Sequence, residues 1–178
     1  DAQESRGLGD VYKRQGVAFT TWSQNGTGFC AVITNGGSGT ALTKNAEAIF
    51  NSTTFTTTAH CVALSSTLVL ITYITNADNF QRIVAVSISG TTCTVGTPVQ
   101  LNSVNSSNSL SAIAALTSTT AVVAFNNAFG TQSLSVVTVS GTTISLGTTF
   151  TPGQDPANVF RIVGLCACLL YTSDAADE

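Results

Sequence analysis

The sequence has no methionine, one histidine, one tryptophan and three prolines, and only 8 % of it is Asp, Glu, Lys or Arg. Each scarcity excludes something. One histidine and five cysteines without metal-ligand spacing provide no set for a tetrahedral zinc site. No run of about 18 apolar residues occurs, so no membrane-spanning helix is encoded. The helix formers Glu, Lys and Met are nearly absent, which leaves little to sustain helices. With no methionine there is no native start, and any signal peptide is expected upstream.

What is abundant is Ser, Thr, Asn, Gly, Val and Ala. Polar runs of this kind suit disorder or a glycosylated stalk. Against that stand Leu68-Val69-Leu70-Ile71 and Ala121-Val122-Val123-Ala124-Phe125, apolar β-rich runs bounded by turn residues. These offset the entropy of ordering, so the expectation is strand after strand joined by small polar turns.

The two ends carry a different signature. Asp10-Val11-Tyr12-Lys13-Arg14-Gln15 can be encoded as GAT GTG TAT AAG AGA CAG. The reverse complement of that string, read in another frame, encodes Cys168-Leu169-Leu170-Tyr171-Thr172 and opens the codon of Ser173. Protein chemistry has no reason to relate two termini in this way, whereas the adapters of a fragmented DNA library are so related. The segments 1–15 and 168–178 are therefore expected to be adapter-derived tails, not native, and 16–167 to be the native repeat region. The tails hold three bases and six acids, so the formal charge of −3 belongs to them. The remainder balances Lys44, Arg82 and Arg161 against Glu47, Asp78 and Asp155. A neutral chain with scattered cations offers no basic footprint for nucleic acid or an anionic membrane.

Internal repetition sets the architecture. Ser89-Gly90-Thr91-Thr92 returns as Ser140-Gly141-Thr142-Thr143, Gly96 as Gly147, and Phe50-Asn51-Ser52 as Leu101-Asn102-Ser103, each 51 residues on. Leu64-Ser65-Ser66-Thr67 returns as Leu116-Thr117-Ser118-Thr119 after 52. An aromatic closes the same strand in each copy: Trp22, Tyr73 after 51, Phe125 after 52. The one-residue slip falls between Phe125 and Val136, where a loop would absorb it. In the last full copy the expected strands are Leu110 to Leu116, Ala121 to Phe125, Ser133 to Val139 and Thr143 to Leu146. Four short antiparallel strands in about 50 residues is the size of one propeller blade. The expected fold is all-β: an incomplete β-propeller of about three four-stranded blades, with a β-sandwich as the alternative. Gly16 to Trp22 reads as a second strand and Val159 to Leu165 as a new first strand, so the segment begins and ends in mid-blade.

The stretch from Val86 to Val99, its partner from Val137 to Thr149, and the Ala-Leu-Thr-Ser-Thr run from Ala115 resemble propeller-type repeats of uncharacterised environmental bacterial and phage-encoded proteins. That resemblance covers nearly all of 16–167 and implies fold far more than function. The first copy departs from it, with Asn35-Gly36-Gly37 in place of the Ser-Gly-Thr-Thr hairpin and Lys44 to Glu47 interrupting the outer strand. Trp-Asp pairs, paired-glycine spacing and aspartate boxes are missing.

Candidate chemistry is sparse. His60 aligns with Ala112 at a strand start, and no motif ties it to Asp78 or Asp155 as a general base would require. His60 and Cys61 are adjacent on a strand and so point to opposite faces. Cys61 and Cys93 replace Ile113 and Ile144 of the next copy and read as small core residues, while Cys30, Cys93 and Cys166 lack ligand spacing. A disulfide is open, its pairing undetermined. Asn25, Asn51 and Asn105 open glycosylation sequons, which a chain this rich in Asn, Ser and Thr contains by accident. No catalytic, cofactor-binding or metal residue and no cofactor is therefore assigned. The expected function is a non-catalytic binding or structural propeller fragment of a secreted, cell-surface or virion-associated protein, with a surface glycan or a protein as its partner. The alternative is a fragment of a glycoside-cleaving propeller whose paired carboxylates lie outside this piece.

Overall fold

The structure, a computed structural model, describes residues 17–35, 41–52, 55–75, 77–102, 111–128 and 131–151. Both presumed tails lie outside the described residues, as do Asp155, the expected strand from Val159 to Leu165, Cys166 and the sequon at Asn105. The described residues hold thirteen strands and no helix.

Three antiparallel sheets follow one another along the chain. The first contains β1 (Val17–Gln24), β2 (Thr27–Asn35), β3 (Leu42–Lys44) and β4 (Ala48–Asn51), with β3 and β4 both on the far side of β2 from β1. The middle sheet contains β5 (Phe55–Ser65), β6 (Leu68–Thr75), β7 (Gln81–Ser89), β8 (Thr92–Val95) and β9 (Val99–Gln100), with β8 and β9 both beside β7. The third runs β10 (Ala112–Ala115), β11 (Thr120–Ala128), β12 (Thr131–Ser140) and β13 (Thr143–Phe150).

Local sequence explains the hairpins. Asn25 and Gly26 have φ of 51° and 81° between the paired residues Gln24 and Thr27. Positive φ at both central residues is the type I′ turn that Asn-Gly favours. Gly90 and Gly141 each have φ of 60° at the first central position of their hairpins, where only glycine is unstrained.

Strand register reproduces the repeat at the level of strands. Trp22 pairs with Phe29, Tyr73 with Arg82 and Phe125 with Ser133, so the three aromatics hold matching places. The spacing differences fall in the connections: from the first to the middle copy the offset is 51 at Trp22 and Tyr73, 53 at Phe29 and Arg82, and 51 again at Leu42 and Cys93. Ser23 pairs with Gly28, Ile74 with Gln81 and Asn126 with Gln132, so the loop after the aromatic strand is longest in the middle sheet. The register shift at Asn126/Ala128 marks the slip expected after Phe125.

The sheets stack face to face. Along β6 all eight residues are buried, and alternate ones face opposite ways. Val69, Ile71 and Tyr73 pack with Cys30 and Phe50 of the first sheet. Leu68 and Leu70 pack with Ala121, Val123, Phe125 and Val137 of the third. A middle sheet covered on both faces explains the uninterrupted apolar run of its central strand. Burying each of Leu70 and Ile71 contributes about 1.5–3 kcal/mol. At one corner the approach is very close: a Cβ at Gly96 would overlap the Thr142 carbonyl of the third-sheet hairpin. Glycine is required there by the neighbouring backbone.

Three expectations need correction. Cys61 is exposed rather than a core residue, because β5 is the edge strand of its sheet. His60, a surface residue, lies within an eleven-residue strand rather than at its start, although its pairing with Thr72 does match Ala112 with Ala124. The outer-strand break is not peculiar to the first copy, since β8 and β9 are separated at 96–98 just as β3 and β4 are at 45–47. The Asn35-Gly36-Gly37 turn expected in the first copy begins where β2 ends. Residues 36–40 themselves lie outside the described residues.

Candidate functional site

The seam between the first and middle sheets opens at one end into a cleft of about 540 Å³. Ile49 and Phe50 of β4 line one side, Tyr73 of β6 and Arg82 of β7 the other, and Asp78 sits on the connecting loop. The longer loop of the middle copy is what supplies Asp78. Its Thr75 amide donates to the Phe80 carbonyl at 3.2 Å, the Asn79 amide donates to Thr75 at 2.8 Å, and Asn79 takes φ of 55°. Asn tolerates that left-handed conformation better than most residues, which closes the turn.

Asp78 is held from several directions. Its Oδ1 accepts from the Thr75 hydroxyl and, at 3.1 Å, from the Phe80 amide, while Oδ2 accepts from Arg82 Nη2. Partial burial opposes its charge, but these hydrogen bonds and the Arg82 guanidinium outweigh that and keep the carboxyl below its ordinary range. The side chains of Asp78 and Arg82 remain 34 % and 27 % exposed, so both present unused polar capacity to the cleft. Below them Tyr73 donates its hydroxyl to the Phe50 carbonyl at 3.4 Å and meets the Phe50 ring edge-on, centroids 5.2 Å apart.

At the seam between the middle and third sheets the same positions carry different chemistry. Leu101 stands for Phe50, Phe125 for Tyr73 and Ser133 for Arg82. There Gln81 bridges the seam, its side-chain oxygen accepting from the Asn126 amide at 3.1 Å, and its own amide donates to Asn102 at 2.9 Å. The charged, aromatic version of the seam thus occurs once in the two seams described.

The other sequence candidates separate. His60 is on the edge strand β5 and is not among the partners of Asp78, which are Thr75, Phe80 and Arg82. Glu47 pairs with Lys44 on the face of the first sheet that carries Trp22, the ammonium lying 5.0 Å above the Trp22 ring. Asn51 is buried, so its sequon is not presented for glycosylation, whereas Asn25 serves its turn. Cys30 and Cys93 face each other across the first seam, close enough for each thiol to affect the other's ionisation. Neither spacing nor repeat position had paired them, because the contact joins equivalent faces of successive sheets. No group of three or more His, Cys, Asp or Glu suited to a metal occurs among the described residues. Sequence alone did not single out the Asp78–Arg82 pair, although both are charges that the neighbouring copies lack. Compared with protein-family models, curated proteins and solved structures, the chain matches none.

Proposed function

We propose that this chain is a propeller-type repeat segment whose role is binding, and that the cleft beside Asp78, Arg82 and Tyr73 takes a neutral polar ligand such as a surface glycan. The observation that carries the reading is the divergence between seams. Where the repeat elsewhere has Leu, Phe and Ser, this seam has an ion pair and a tyrosine around an open cleft. A carboxylate and a guanidinium already neutralising each other suit hydroxyl groups, which both donate and accept, better than a charged ligand. Three sheets stacked in chain order support the propeller. The neutral Ser/Thr/Asn-rich composition supports a secreted, cell-surface or virion-associated setting. The glycoside-cleaving alternative has less support: Asp78 is held ionised and so is a poor proton donor at neutral pH, and Glu47 is tied to Lys44.

The test is calorimetric titration with a panel of neutral oligosaccharides. At least one should bind, and replacing Asp78 and Arg82 together by alanine should weaken it by roughly ten- to a hundredfold, the value of hydrogen bonds to charged groups. Binding to no oligosaccharide, or equal binding by the double variant, would overturn the proposal.

A further inference from the structure

The stack is polar in the sense that each sheet has a face toward its predecessor and a face toward its successor. Register identifies these faces even where no neighbouring sheet lies among the described residues. Val122 pairs with Val136 and Ala124 with Leu134, as Leu70 pairs with Ala85 and Thr72 with Ile83. Leu70, Ala85 and Ile83 belong to the face of the middle sheet that receives the third. The corresponding face of the third sheet carries Leu116, Val122, Leu134, Val136 and Phe150. Leu116, Val136 and Phe150 are 40 %, 45 % and 66 % exposed. Gly147 repeats Gly96 on this sheet, yet the nearest atoms to a Cβ there belong to Val136 of its own strands rather than to an incoming hairpin. The third sheet keeps the form of a seat for a successor.

The first sheet offers the opposite face. Trp22 and Phe29, stacked at 5.7 Å, and Leu42, 74 % exposed, occupy the positions by which Tyr73, Arg82 and Cys93 face the preceding sheet. The chain thus presents one socket and one plug of the same repeat.

We propose that two copies of this chain associate head to tail, the first sheet of each seating on the third sheet of the other. The occupant is argued from continuity with the two seams inside the chain. Each is formed by a successor face meeting a predecessor face, and a second copy supplies both missing halves. The contact is heterologous, and such contacts give rings when the rotation closes. Three sheets fall short of the four to eight of a propeller, whereas two copies make six, within that range. The pairing of faces rests on the observed stack, and the number of copies on the propeller reading.

Sedimentation velocity of the full chain at micromolar concentration tests this. The expected species has twice the 18.2 kDa chain mass. Val136→Lys on the socket and Leu42→Lys on the plug, both exposed positions, should each abolish the dimer while far-UV circular dichroism stays as in the wild type. Phe150→Ser, a second socket variant, should weaken it likewise. Mixing Val136→Lys with Leu42→Lys leaves one of the two seams free of substitution, so the dimer should return. A wild-type monomer, an open series of larger species, single variants that still dimerise, or a mixture that stays monomeric would each overturn the proposal. The cleft is complete within one chain, so oligosaccharide binding by the monomeric variants is a separate result.

Discussion

Tyr73 shows how a single atom distinguishes two copies of one repeat. Its ring fills the same place as Phe125, and the hydroxyl is the difference. Burial pushes the phenol from 10 up to about 12, with Arg82 pulling it down and Asp78 pushing it up by lesser amounts. The unfolded chain therefore ionises first. From pH 10 to about 12 the unfolded state releases a proton that the native state keeps, and stability falls by about 2–3 kcal/mol across that window. Tyr73→Phe should cost about 1 kcal/mol at neutral pH through the lost hydrogen bond, and should remove this part of the alkaline loss. Urea titrations of both proteins at neutral and alkaline pH would show it. Parallel pH profiles would contradict the assignment. Cys30, also pushed up to about 12 by burial and next by Cys93, retains its own alkaline contribution in both proteins.

At the scale of elements, the first seam is joined by two thiols. Cys30 lies on β2 and Cys93 on β8, both packed in the same core, so a disulfide there would clip one sheet to the next. Oxidised glutathione should convert the pair to a disulfide by two exchange steps, releasing two reduced glutathiones. Closing a loop of about 60 residues would stabilise the chain by about 4 kcal/mol in the chain-entropy account. Exposed Cys61 should instead stop at a mixed disulfide with glutathione. Peptide mapping by mass spectrometry with paired denaturation curves checks both. Cys93→Ser should eliminate the cross-link and the gain, and a dominant cross-link through Cys61 would refute the pairing. The repeat places Cys93 where Ile144 sits, and both face the preceding sheet.

For the whole molecule, the order of protection should follow position in the stack. Among the described residues the middle sheet packs against a sheet on both faces, whereas the first and third each pack against one. Local opening is easiest where few apolar contacts must be broken. Amides of Leu68–Thr75 should therefore exchange most slowly, and those of β13 and β3 faster by orders of magnitude. Hydrogen exchange followed by mass spectrometry under conditions that keep the chain monomeric tests this, and uniform protection across the three sheets would argue against a layered stack.

Strand identity, hairpin position and the 51-residue period were legible in the sequence, because they depend on local chemistry. Asn25-Gly26 and Gly141 dictate their turns through φ, and the apolar run of β6 announces a strand with no solvent face. The exposure of Cys61, the meeting of Cys30 with Cys93 and the cleft around Asp78 and Arg82 were decided by tertiary structure alone. A repeat alignment states which positions are equivalent along the chain. Only the packing of one sheet on the next determines which equivalent position is covered, which is left open, and which side chains meet across the seam.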